Sequence, residues 1–173
     1  MDKHTRFANT WKAVNVTSRV RWQQNNTIDR FNALLVKRLT DKYGDDVKGV
    51  LADVSYQIGI EDGRKICENL RIDPSAPRSS LMPLETIALM SGVDAEVSGD
   101  RHPRQLPQQT LTFKSGGCIF SGIFGSIDPS LKDMICEKYT QGLVHAVNRN
   151  AEIRLIRKCC GGNRQCEFAV TLR

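Results

Sequence analysis

Five of the six cysteines in this chain of 173 residues lie in its last third: Cys118, Cys136, Cys159, Cys160 and Cys166. We predict that this third begins with a tight glycine turn, continues into a helix and ends in two strands joined by a short turn. Each of these predicted elements carries at least one of the five thiols. This arrangement can bring thiols that are distant in sequence into one small volume, with the upstream residues packed around them as helices.

Length and composition are those of a single globular domain. The chain is long enough for one sizeable core, and its 40% hydrophobic and 25% charged residues exclude a disordered chain. No apolar run approaches the roughly 20 residues that cross a bilayer, and the N-terminus has no apolar leader segment. We expect a cytoplasmic protein without membrane contact, with one domain over residues 27–173 and an N-terminal extension over residues 1–26.

The distribution of charge disfavours nucleic acid as a partner. The net charge is +6, but the basic residues are scattered and aromatic residues make up only 6% of the chain. The N-terminal extension carries Trp11 and Trp22. It is expected either to pack on the domain or to form a surface for a partner, and the second interpretation predicts a homo-oligomer.

The first half of the domain reads as two long helices. Apolar residues at helical spacing predict a first helix that Thr27 caps and Gly44 ends, and a second that starts at Asp45 and continues to about Leu70. Gly59 and Gly63 lie one turn apart in the second helix. They predict either close packing of another helix or contact with a ligand. Both glycines are therefore candidate substrate-binding residues.

The middle of the chain contains shorter elements. Ser80 is expected to cap a helix over residues 81–90 that Gly92 ends. Strands are expected over residues 93–97 and 110–113, separated by a polar loop over residues 99–108.

In the last third of the chain, a helix is again followed by strands. Asp128-Pro129 is a strong helix start, and the apolar stripe of that helix comprises Leu131, Ile135, Tyr139 and Leu143. Cys136 lies beside this stripe. Residues 153–158 and 166–172 alternate as two paired strands. The expected fold class is therefore α+β, with a helical N-terminal half.

Two kinds of chemistry suit these thiols. Cys118 is the candidate nucleophile, because Gly116-Gly117 allows a sharp turn that presents amide groups, and Lys114 or Arg157 could lower the pKa of the thiol. A buried structural cysteine beside Phe120 is the alternative, and Phe120 is a further candidate substrate-binding residue.

The second chemistry is zinc binding. Because the cytosol keeps thiols reduced, Cys136, Cys159, Cys160 and Cys166 are candidate thiolate ligands, and Cys118, His145 or Glu167 could complete the set. The chain contains no glycine-rich phosphate loop, HExxH or GxSxG motif, which argues against those enzyme classes.

A set of matched positions resembles the L-2-amino-thiazoline-4-carboxylic acid hydrolase family and, more distantly, the 4-vinyl reductase domains that bind small ligands. The matched residues are Lys42-Tyr43-Gly44, Gly59, Gly63-Arg64, Cys118, Cys136, Gly142-Leu143-Val144, Asn148, Gly162 and Cys166-Glu167-Phe168. The resemblance implies an antiparallel sheet packed with helices around a small-molecule pocket. It also implies a role for Cys118, although Ile119 follows it where the family has proline.

The resemblance yields two functional hypotheses. The first is a hydrolase that opens a C–N bond of a small cyclic amidine or amide, with Cys118 as the nucleophile. The alternative is a non-catalytic small-molecule-binding domain in which Cys136, Cys166 and one or both of Cys159 and Cys160 hold a structural zinc.

Overall fold

The computed structural model describes residues 29–99, 109–118 and 129–172 as four helices and a four-stranded sheet. The helices are α1 (Asp29–Tyr43), α2 (Asp45–Leu70), α3 (Met82–Met90) and α4 (Pro129–His145). The strands are β1 (Ala95–Gly99), β2 (Gln109–Ser115), β3 (Glu152–Arg157) and β4 (Cys166–Leu172). The predicted α+β class with a helical N-terminal half is confirmed.

The sheet is antiparallel throughout, with the strand order β1-β2-β4-β3. The central pair places Phe113 opposite Phe168, with ring centroids 6.2 Å apart. Alternate residues of β2 and β4 are buried, including both phenylalanines and Val170. Because side chains alternate between the faces of a strand, one face of the sheet forms the core, and α3 and α4 cover it.

Helix α2 packs along α4 through small residues. A Cβ atom built on Gly59 would lie 3.0 Å from the Cα atom of Gly142, and one built on Gly63 would lie 2.5 Å from Cβ of Ala146. The glycine spacing in α2 therefore corresponds to the close approach of another helix, one of the two interpretations of these residues.

Helix α1 is attached to the domain by a small second cluster. Ala33 and Val36 are buried with Leu131 of α4, and Leu51 of α2 packs against them. The helix ends where predicted, since Gly44 takes a left-handed φ of 61° and α2 begins at the next residue. The proposed cap Thr27 and the N-terminal extension lie outside the described residues.

Two predictions in the middle of the chain were wrong in detail. Ser80 does not cap α3: it is buried in a 3₁₀ turn, Pro77–Leu81, and Leu81 occupies the cap position without a side-chain hydrogen bond. Strand β1 starts two residues later than predicted. The amide of Val93 donates to the carbonyl of Ala88 at 2.9 Å, so Val93 still belongs to the end of α3.

The last third follows its prediction closely. Helix α4 begins at Pro129, and all four residues of the predicted apolar stripe are buried. Strands β3 and β4 pair antiparallel, and a 3₁₀ turn, Cys159–Gly161, lies between them. Asp128, most of the polar loop and Phe120 lie outside the described residues. No helix in the described part of the chain is long and apolar enough to cross a membrane.

Candidate functional site

The thiols of the last third meet at one end of the sheet. Ser115 at the end of β2 pairs with Cys166 at the start of β4, and Cys118 follows three residues after Ser115. The 3₁₀ turn that carries Cys159 and Cys160 leads into the same end and contacts α4. The sequence-based expectation that distant thiols share one region therefore holds for the described residues, and we call this region the thiol cluster.

Cys136 is the helix thiol of this cluster. Its side chain packs against the core, which includes Cys166, and Cys159 packs there too. Burial and then the neighbouring Cys118, with smaller effects of Cys160 and Asp133, raise the pKa of the Cys136 thiol to about 12, while a hydrogen bond with Thr140 opposes the shift. At neutral pH this sulfur is protonated, which makes it a poor nucleophile.

Asp133 is the polar centre of the region, and the sequence analysis missed it. Its carboxylate forms an ion pair with Lys158 and accepts a hydrogen bond from the Cys160 thiol at 3.2 Å. Burial raises the pKa of Cys160, and the hydrogen bond with Asp133 raises it further. The pKa of Lys158 is raised mainly by its hydrogen bond with the same carboxylate. These contacts join the turn between β3 and β4 to α4.

Cys166 takes part in closing the hairpin. The backbone amide of Cys159 donates to the Cys166 sulfur at 3.3 Å, and Cys166 is buried. The contact joins the two ends of the turn through the Cys166 side chain and the backbone of Cys159.

The two cations expected to activate Cys118 lie near carboxylates of the sheet. Lys114 is the register partner of Glu96 in β1 and of Glu167 in β4, and the Arg157 guanidinium lies 3.6 Å from the Glu167 carboxylate. Before Cys118, the Ser115 hydroxyl donates to the Gly117 carbonyl at 2.8 Å, and the Gly116 amide donates to Asp94. The turn is therefore ordered by its own hydrogen bonds, and the nucleophilic role of Cys118 stays a prediction.

The zinc hypothesis also stays a prediction. Across residues 29–99, 109–118 and 129–172, no three His, Cys, Asp or Glu side chains are arranged as a group that could hold a metal ion. Of the proposed ligands, Cys160 contacts Asp133 and Cys166 contacts a backbone amide. His145 lies nine residues after Cys136, about 13 Å along the helix axis, so this imidazole is remote from the Cys136 thiol.

His145 belongs instead to a cleft at the opposite end of α4. The cleft has a volume of about 600 Å³ and its lining includes Arg149, Glu152 and Arg154. The imidazole Nε2 lies 2.9 Å from the Ala151 carbonyl, and Nδ1 lies 3.0 Å from the Tyr56 hydroxyl. Because a carbonyl only accepts, Nε2 carries the proton and, in the neutral ring, Nδ1 accepts from Tyr56. The pair ties α2 to the start of β3.

The predicted substrate-binding glycines lie between these two regions. The space beside Gly59 is occupied by Tyr139 and Gly142, and the space beside Gly63 by Leu143 and Ala146. Both glycines thus contact the backbone of α4, and their ligand-binding role remains a prediction.

Comparison with known proteins gives a fold but no family. No protein-family model and no curated protein sequence matches the chain. The phenol-responsive sensory domain of the transcription activator PoxR, solved with phenol, is 18% identical, with a TM-score of 0.55 over 83% of this chain and 74% of that one.

A second similar structure is the trafficking protein particle complex subunit 3 from Naegleria fowleri, covalently bound to palmitic acid. It is 13% identical, with a TM-score of 0.56 over 87% of this chain and 95% of that one. The chain shares its overall fold with these two proteins.

Proposed function

We propose that this chain is a non-catalytic domain that binds a small, largely apolar molecule between its helices and its sheet. The observation that carries the proposal is the shared fold, which extends over more than four fifths of the chain to two proteins solved with small molecules bound. Of the two hypotheses from the sequence, this similarity favours the binding domain over the hydrolase.

The expected ligand class follows from what the two known ligands have in common. Phenol and palmitic acid each combine an apolar body with one polar group. The layer between the helices and the sheet is apolar, since the helices contribute Leu84 and Leu143 and the sheet contributes Phe113 and Phe168. These side chains pack together as the core, so a ligand in this layer would take the place of some of their mutual contacts. Apolar walls with few polar groups are typical of small-molecule sites.

The described thiols give little support to nucleophilic catalysis. The pKa values of Cys136 and Cys160 are raised rather than lowered, whereas a nucleophilic cysteine needs a lowered value. The nearby cations Lys158 and Arg157 are engaged by Asp133 and Glu167. We therefore propose that none of these thiols, Cys118 included, acts as a nucleophile.

A structural zinc is not required by this proposal. The zinc hypothesis predicts close to one equivalent of zinc in protein purified without chelator, and a lower melting temperature after chelation. Elemental analysis and thermal unfolding with and without chelator decide that question independently of ligand binding.

Calorimetric titration of the full chain with phenol, alkylphenols and palmitate tests the proposed function. We expect saturable binding of at least one of them at one molecule per chain, and a Cys118→Ala variant should bind with the same affinity. A ligand at one hundred times its dissociation constant should raise the free energy of unfolding by about 2.7 kcal/mol. Absence of binding by all of them would contradict the proposal.

A further inference from the structure

Helix α2 carries an apolar stripe on the side that does not face α4. Val50, Val54 and Ile58 are 62%, 48% and 47% exposed. They lie one turn apart, so they form a single row, and the row is roughly 150° around the helix from Gly59. We call these three residues the outer stripe of α2. The row has the apolar composition of a buried helix face, but it lies on the surface of the domain.

Helix α1 repeats this arrangement. Phe31, Leu34 and Leu35 are 64%, 56% and 44% exposed, and they lie about 180° from the buried pair Ala33 and Val36. Helix α1 is thus apolar on two opposite faces, although only one of them contacts the domain. We call Phe31, Leu34 and Leu35 the outer face of α1.

The two surfaces belong to neighbouring helices. Leu51 of α2 packs against the α1 cluster and lies only about 60° from the outer stripe around the helix. The stripe therefore borders the side on which α1 lies. Monomeric proteins seldom expose large apolar side chains in such a group, and groups of this kind mark interaction sites.

We propose that this surface binds the same surface of a second copy of the chain, with the two α2 helices antiparallel and Val54 at the two-fold axis. The stripe suits this symmetry, because rotation about Val54 places Val50 of one copy beside Ile58 of the other. Two of the nearby cations are paired within their own helices, Lys37 with Asp41 and Lys48 with Asp45.

The area of the surface agrees with a dimer. Six large apolar side chains, each about half exposed, present on the order of 500 Å² per copy. Burial of all six in both copies removes about 1,000 Å² in total, near the lower bound for a specific interface, so the proposed dimer requires the outer face of α1 to contact the partner as well as the outer stripe of α2. Helix α1, which a small cluster holds to the domain on its inner face, would gain a second contact on its outer face.

Sedimentation equilibrium of the full chain tests the proposal. We expect a mass of twice 19.4 kDa at micromolar concentration. Val54→Asp should raise the dimer dissociation constant at least about one hundredfold, because it places two carboxylates together at an apolar axis. The matched control is Leu89→Asp, which changes an apolar residue that is 78% exposed at the end of α3, and it should leave the mass unchanged.

A cross-linking experiment does not depend on the folding of the Val54→Asp variant. Under mild oxidation Val54→Cys should form a disulfide-linked dimer, whereas wild type and Leu89→Cys should not. A monomeric wild-type chain would overturn the proposal. Coverage of the surface by residues 1–28 would give that result. A dimer that forms equally well with Val54→Asp, or one that Val54→Cys does not cross-link, would also overturn it.

Discussion

Gly59 of α2 and Gly142 of α4 lie backbone against backbone. A Cβ atom built on Gly142 would fall 2.9 Å from the carbonyl carbon of Gly59 and 2.8 Å from the amide nitrogen of Ile60. Such distances are shorter than real Cβ contacts, so only glycine allows the two helices to approach this closely. The crossing fixes α2 to the helix that covers the sheet, and with it the shape of the proposed ligand-binding region.

Gly142→Ala should destabilise the domain by about 2 kcal/mol or more, because the helices must separate to admit the methyl group. The matched control is Gly49→Ala in α2, where the added Cβ meets no atom within 4 Å. That variant should be more stable by about 0.5–1 kcal/mol, since alanine favours a helix. Chemical denaturation measures both changes, and equal effects of the two substitutions would contradict the packing account.

Tyr139 should make stability depend on pH in the alkaline range. Burial raises the pKa of its phenol, and the carboxylate of Asp62, which accepts its hydrogen bond at 3.0 Å, raises it further. Because the folded state holds the proton more tightly, this contribution is complete below the unfolded pKa of about 10 and is lost as pH rises above it. The loss should approach about 1.4 kcal/mol per pH unit.

Phenolate absorbance and denaturation above pH 9 measure this effect. Tyr139 should resist titration until the domain unfolds. Tyr139→Phe should remove that resistance and flatten the pH dependence of stability. Tyr43→Phe, which changes a residue that is 52% exposed, should leave both unchanged. A resistant tyrosine that persists in Tyr139→Phe would refute the assignment.

Asp133 should slow the alkylation of Cys160. Partial burial raises the pKa of this thiol first, and the carboxylate raises it further through a hydrogen bond and its charge. Asp133→Asn should therefore lower that pKa and increase the thiolate fraction. Because the thiolate is the reactive form, alkylation at neutral pH should become severalfold faster. Peptide mass spectrometry after brief iodoacetamide treatment reports each cysteine separately, and Asp41→Asn on the surface of α1 is the control. An unchanged rate at Cys160 would show that the contact is unimportant.

The long elements could be predicted because their signals are local. The helical spacing of α1 and α2, the break at Gly44 and the alternation of β4 each depend on neighbouring residues alone. Val93 shows the limit of this approach. Its side chain suits a strand, but its amide bonds to Ala88 as part of the end of α3, and that choice depends on how the helix terminates.

The site was less predictable because its contacts join distant parts of the chain. Cys160 meets Asp133 across 27 residues, and Tyr56 meets His145 across 89. Asp133 could have been suspected from its position one helical turn before Cys136, but nothing in the sequence indicates that Lys158 and Cys160 approach it. Ser80 was predicted as a cap from its residue type, whereas tertiary packing buries it.

We propose that the domain holds a small apolar molecule and releases it unchanged. Mass spectrometry of the full chain equilibrated with palmitate and alkylphenols, under native and then denaturing conditions, tests this most directly. We predict one ligand per chain in the native spectrum, its loss on denaturation and its recovery in unaltered form, both in wild type and in Cys118→Ala. The absence of any ligand-bound species, or recovery of a chemically changed ligand that requires Cys118, would contradict the account.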